Sequence, residues 1–203
     1  MKLLLSGGGE PEQVKALDEY FANYVKDGKI LYIPVAMEKI PYNACEKWFR
    51  ETYAKYNLNN IEMQTDLKKI KSLGEYKAIF IGGGNTFKLL KEIKESNFEK
   101  TLKDYLNNGG FVYGGSAGAI IFGKTIETAI HADKNNVNLK NLTALNLLEG
   151  YDVWCHYDEK QEKEILKLNN KTLVLYEESG IFYDGEEFKT VGKEYLVFPK
   201  DFS

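Results

Sequence analysis

The chain has 203 residues, 43% of them hydrophobic and 28% charged, with a formal net charge of −3. Those proportions fit a single globular domain spanning residues 1–203, large enough to bury a full core without disulfide or metal staples. A weakly acidic balance with no basic run argues against a nucleic-acid partner, and no apolar stretch approaches the roughly 20 residues of a membrane helix. Arg50 is the sole arginine, so lysine carries nearly all of the positive charge. Cys45 and Cys155 are too few and too far apart for a disulfide framework or a cysteine metal site, and they read as reduced thiols. The opening Met1–Gly7 segment is apolar too briefly for a signal peptide, which makes a cytoplasmic protein the expectation.

In chain order, short apolar runs alternate with amphipathic ones. Strands are predicted at Lys2–Ser6, Ile30–Pro34, Ile61–Gln64, Ala78–Ile81 and Phe111–Tyr113. Helices are predicted between them, at about Pro11–Lys26, Asn43–Tyr56, Thr86–Glu95 and Phe98–Asn107. In the first of these, Val14, Leu17, Tyr20, Phe21 and Tyr24 fall on one stripe with a period near 3.6. Repeated strand–helix units mean a mostly parallel sheet. The second half is less regular. The polar stretch Thr125–Asn141 reads as a loop, Asn141–Leu148 and Glu159–Leu168 as helices. Tyr151–His156 has the look of a strand, and short strands follow at Thr172–Tyr176, Gly180–Tyr183, Phe188–Val191 and Leu196–Phe198. Asp184-Gly185 signals a hairpin between two of these.

The sharpest chemical signal is Phe111-Val112-Tyr113-Gly114-Gly115-Ser116-Ala117-Gly118-Ala119-Ile120, an apolar strand running through G-x-S-x-G into an apolar helix. That is the context of a nucleophile elbow, where small flanking residues let a serine hydroxyl stand exposed at the sheet edge. The N–H of the following residue, Ala117, then points towards the same space. A second glycine cluster, Gly82-Gly83-Gly84-Asn85-Thr86, also follows a strand and precedes a helix. Glycines there allow a ligand to approach the backbone, and both loops leave the same edge of a parallel sheet, where open α/β folds bind ligands. The alternative for this cluster is a helix start capped by Asn85 or Thr86.

The glycine run Ser6-Gly7-Gly8-Gly9 lacks dinucleotide-binding spacing, and no acidic residue ends the second strand. Gly118 and Gly123-Lys124-Thr125 have phosphate-loop spacing, but the apolar Ala119–Phe122 between them reads as helix. A serine nucleophile needs a base, and the chain offers His131 and His156. His156, at the end of an apolar run, has the more rigid mount. Asp133 and Glu127, both between Ser116 and His156, are the candidates for the orienting acid, in the chain order Ser, acid, His.

Together these segments resemble the peptidase E family of serine peptidases, which also contains the cyanophycinases. The resemblance is carried by Leu3-Leu4-Leu5-Ser6, Gly82–Leu90, Gly114–Ala119, Ala144–Leu147 and the run into His156. It implies an α/β fold of the flavodoxin-like or class I glutamine amidotransferase-like kind, with a mostly parallel sheet sandwiched by helices. It implies Ser116 as nucleophile, His156 as base, and the N–H groups of Gly84 and Ala117 as the oxyanion hole, with Asn85 and Thr86 beside the substrate. Asp133, 17 residues after the serine, falls where the family places its acid, with Glu127 the alternative. The expected activity is hydrolysis of short peptides through a Ser–His–acid triad and an acyl-enzyme, with no metal or cofactor, in a monomer or homodimer. A catalytically silent binding homologue and a hydrolase of non-peptide amides or esters are the rival readings. Family members that cleave after aspartate carry an arginine shortly after the histidine, whereas Tyr157–Glu164 here has none and is dominated by acid. Lys160 and Lys163 are the cations available in its place, and aspartyl specificity is left open.

Overall fold

A computed structural model describes residues 1–199 of the chain. A seven-stranded sheet runs β3 (Ile61–Met63), β2 (Ile30–Ile33), β4 (Ala78–Ile81), β5 (Phe111–Gly115), β1 (Lys2–Ser6), β8 (Ser179–Tyr183) and β9 (Phe188–Gly192). The first five are parallel, and β8 and β9 extend the sheet in antiparallel fashion through the hairpin at Asp184-Gly185. Strands β6 (Asp152–Trp154), β7 (Thr172–Val174) and β10 (Leu196–Phe198) form a second, smaller sheet.

Alternation along each strand divides the core in two. Leu4, Tyr32, Phe80 and Tyr113 face the helices α1 (Lys15–Val25) and α2 (Tyr42–Ala54), meeting Leu17, Phe21, Phe49 and Tyr53. Their neighbours Leu3, Leu5, Ile33, Ile81 and Val112 face α3 (Thr86–Lys94), α4 (Phe98–Asn107) and the single turn α5 (Ala117–Ile120). Period-2 side chains on a parallel sheet buried on both sides leave no polar face, which is why these strands read as continuous apolar runs. A third cluster, with Trp154, Ile165, Val174 and Phe198, knits the small sheet to the turn α6 (Glu162–Ile165).

Three expectations differ in detail. The first helix begins at Lys15, because residues 11–14 form turns closed by bonds to the Glu10 carbonyl. Residues 141–148 are not a helix: Ala144, Leu145, Asn146 and Leu147 donate their N–H groups to the carbonyls of Lys124, Ile121, Gly123 and Phe122. The segment thus completes the end of α5, and Asn146 takes a positive φ of 51° to do so. Residues 159–168 hold a 3-10 turn, Glu159–Gln161, and then the short α6.

The elbow after β5 rests on two glycines. A Cβ on Gly118 would stand 2.2 Å from the Ile81 carbonyl oxygen, and one on Gly114 would stand 2.2 Å from the Gly118 carbonyl oxygen. Both contacts are to backbone, which cannot swing aside as a side chain can. Gly118→Ala is therefore expected to cost about 3 kcal/mol, at the upper end for overpacking. Denaturant unfolding measures it, and an unchanged midpoint would contradict the packing described here.

Candidate active site

Ser116 is held at φ 49° and ψ −110°, a left-handed conformation that strains a residue with a Cβ by about 1–3 kcal/mol. Three backbone bonds fix it there. Its N–H donates to the Ser6 carbonyl at 3.1 Å, and its carbonyl accepts from the N–H groups of Ala119 (2.7 Å) and Ile120 (3.0 Å). The hydroxyl is thereby pushed out at the C-terminal edge of the sheet, where Oγ lies 2.9 Å from His156 Nε2.

His156 follows β6 and also has a positive φ, 54°. Its N–H donates to the Gly7 carbonyl, tying the small sheet to the end of β1. The imidazole lies on Gly8, where a Cβ would come within 2.2 Å of Cε1. The glycine run after the first strand is therefore the seat of the histidine ring. Its sequence reading ruled out dinucleotide spacing but had no signal for this use.

Nδ1 of His156 lies 3.1 Å from Glu177 Oε1. The other carboxylate oxygen of Glu177 accepts from Gln13 Nε2 at 2.9 Å, and Gln13 Oε1 in turn accepts from the Glu10 N–H at 2.8 Å. These bonds fix the carboxylate plane. The hydrogen bonds from His156, then Gln13, hold the Glu177 carboxyl below its usual range. Glu177, rather than Asp133 or Glu127, is the carboxylate bonded to the His156 ring, and both of the others have local roles. The Asp133 carboxylate accepts from the Thr86 N–H at 2.8 Å and so caps α3. Glu127 begins the 3-10 turn Glu127–Ala129, its N–H bonded to Thr125 Oγ1. Glu177 lies after β7, beyond His156 in the chain, so a search for Ser, acid, His order passes over it.

Asn85 caps α3 by accepting from the Lys88 N–H at 3.0 Å, and its amide donates to the Lys134 carbonyl at 2.8 Å. Its side chain thus fastens the 133–134 loop to the helix. Thr86 lines a cavity of about 290 Å³ shared with Ser116, His156, His131 and Asp133. His131 stacks on Trp154, ring centroids 4.0 Å apart, and its Nδ1 bonds the Thr128 carbonyl. Both contacts hold the ring in place. Gly84, which lines both cavities beside Ser116, has φ 135°, and a Cβ there would stand 2.4 Å from the Ala36 carbonyl oxygen. Buried Cys155 lies under the elbow with its thiol pushed well up by desolvation, and both cysteines are free.

A larger cleft of about 430 Å³ opens on the other side of Ser116. Trp48 and Ile40 stand half-exposed along it, while Asp18, Tyr53 and Tyr113 line it from within the core. Asp18 is 2% exposed. Its Oδ1 accepts from the Tyr53 hydroxyl at 2.7 Å, and Oδ2 has no hydrogen-bond partner. Burial pushes its carboxyl up from 3.8 to about 6, opposed by the Tyr53 hydrogen bond, Lys55 and Tyr113. The segment after His156 brings no cation to either cavity. Asp158 and Gln161 close a capping box there, and Lys160 is 91% exposed. Arg50, on α2, is engaged by Glu46 of the same helix and by the Ile61 carbonyl of β3. Among the described residues no group of three or more His, Cys, Asp or Glu side chains converges as a metal site, and no helix is long and apolar enough to cross a membrane.

The fold and site define an α/β protein with a serine at a strained strand–helix elbow, relayed through histidine to a carboxylate. The sequence profile of Peptidase family S51 matches residues 3–191, and the chain belongs to that family. It is 30% identical to Peptidase E of Haemophilus influenzae over 112 residues, covering 55% of this chain and 51% of that protein. An uncharacterised peptidase of Listeria monocytogenes is 37% identical over 89 residues, 43% of each chain. The chain thus spans about half the length of these curated relatives it matches. Peptidase E of Actinobacillus pleuropneumoniae is 25% identical over 89% of this chain and 82% of its own. In solved structures, a protein of Listeria monocytogenes EGD-e provisionally described as Peptidase E superposes with a TM-score of 0.75 at 25% identity, covering 95% of this chain and 98% of that one. A peptidase from an acI-B1 Actinobacterium shares the fold, with a TM-score of 0.67 at 17% identity, 97% of this chain and 96% of that one.

The Asp18 carboxyl makes stability depend on pH. A carboxyl whose pKa is raised on folding binds its proton more tightly in the native state. Its contribution is therefore most favourable below about pH 4 and is lost as pH rises towards 6. A rise from 3.8 to about 6 corresponds to about 3 kcal/mol. Asp18→Asn should raise Tm more at pH 8 than at pH 4, as read by thermal melts. An equal change at both would show that Asp18 carries no such burden.

Proposed function

We propose that the protein is a serine peptidase that cleaves short peptides by acyl transfer, with Ser116, His156 and Glu177 as its triad. The observation that carries this reading is the continuous relay from Ser116 Oγ through the imidazole to a carboxylate that is itself fixed by Gln13. His156 takes the Ser116 proton as Oγ attacks the scissile carbonyl, and Glu177 steadies the imidazolium that forms. The N–H groups of Gly84 and Ala117 receive the oxyanion, each worth about 3 kcal/mol. His156 then gives its proton to the leaving amine, and water attacking the acyl-enzyme frees Ser116. A cleft of about 430 Å³ fits a few residues of peptide. Membership of Peptidase family S51 supports peptide bonds as the target.

Hydrolysis of a dipeptide panel should vanish in Ser116→Ala. Glu177→Gln should lower kcat by about 10³-fold or more, the order seen when an orienting carboxylate loses its charge. Asp133→Asn, which retains an acceptor for Thr86, should change kcat less than about tenfold. A larger loss in Asp133→Asn than in Glu177→Gln would assign the acid to Asp133 instead.

A further inference from the structure

The cleft beside Ser116 contains a group that the acyl-transfer chemistry does not use. Asp18 is buried on the inner face of α1 and bonds Tyr53, outside the hydrogen-bonded relay of Ser116, His156, Glu177 and Gln13. One of its carboxylate oxygens is satisfied by Tyr53 and the other is unpartnered. Among the described residues that line the cleft Asp18 is the sole carboxylate, and none is lysine or arginine. Tyr113 and Lys55 also favour the charged carboxyl, but burial outweighs them together with Tyr53. A buried carboxylate without an ion-pair partner is a cost that an apolar or amide residue of similar size would avoid.

The walls narrow the choice of ligand. Between the half-exposed Trp48 and the buried acid, the lining is aromatic and aliphatic, with Tyr32, Met37 and Phe80 among it. Such a sleeve suits a flexible methylene chain, and its ring faces favour a cation over an anion. An acidic side chain would meet Asp18 with like charge, and no lysine or arginine lines the cleft to offset it. A norleucine-like side chain would fill the sleeve and leave Oδ2 unpartnered.

We infer that the cleft is a specificity pocket for an alkylammonium side chain, that of lysine, on a residue flanking the scissile bond, with Asp18 Oδ2 receiving the ammonium. This inference rests on the proposed peptidase reading for its biological meaning, but its physical test does not require turnover. The probes are L-lysinamide and L-norleucinamide, which share an α-ammonium and differ at the side-chain terminus. Titration calorimetry on Ser116→Ala should show lysinamide binding roughly ten- to a hundredfold more tightly, the range of a charge-assisted hydrogen bond. The preference should disappear in Ser116→Ala/Asp18→Asn. Should the double variant fail to fold, the lysinamide–norleucinamide ratio on Ser116→Ala still decides. Equal affinities, no measurable binding of either, or a preference that survives Asp18→Asn would each overturn the pocket. Failure of the peptidase reading shows separately, as absence of dipeptide hydrolysis by the unmutated protein. With turnover established, Lys-Leu and Leu-Lys compared with their norleucine counterparts tell which side of the bond the pocket serves.

Discussion

The site depends on a close approach between backbones: Gly118 lies against the Ile81 carbonyl where no Cβ fits. That approach brings the turn after β5 against the end of β4, and with it Gly83, whose Cβ would lie 3.4 Å from that of Ser116. The serine is left in a conformation it would not choose, and three backbone bonds prevent it from relaxing. Strain of this kind persists only where the surrounding structure over-determines it. Here the surroundings are two parallel strands with every side chain buried.

The other half of the relay comes from outside the main sheet. His156 and Glu177 follow β6 and β7 of the small sheet, which are paired in parallel, so both residues leave it at the same end. The bond from the His156 N–H to the Gly7 carbonyl docks that end onto the end of β1. Gly8 then supplies a flat floor for the imidazole, and Gln13, just before α1, holds the carboxylate. The first strand and its glycines thus join the serine of one sheet to the histidine that follows the other. The same α1 carries Asp18 into the core, so a stability cost and the lining of the large cleft come from one helix.

Much of this was legible in the sequence. Apolar runs with alternating helices define the parallel sheet because strands buried on both faces need no polar residues, and G-x-S-x-G between Tyr113 and Ala119 marks the elbow by its small residues alone. Other parts were not legible, for physical reasons. Glu177 lies 21 residues beyond His156, and only the pairing of β6 with β7 brings them together. Asp133 has the right spacing but serves the N-terminus of α3, a local use that sequence separation does not distinguish from catalysis. Residues 141–148 have helical periodicity, yet their N–H groups satisfy the carbonyls at the end of α5. Asp18 falls on the apolar stripe of an amphipathic helix next to Leu17 and Phe21, where only the fold shows that it is buried.

The central claim is that the relay activates Ser116 as a nucleophile. Reaction of the unmutated protein with a fluorophosphonate, followed by peptide mapping in a mass spectrometer, tests it most directly. The account predicts one modified residue, Ser116, with labelling slowed in Glu177→Gln and abolished in His156→Ala. A protein that resists the reagent while folded, or that is labelled as fast without His156, would contradict it.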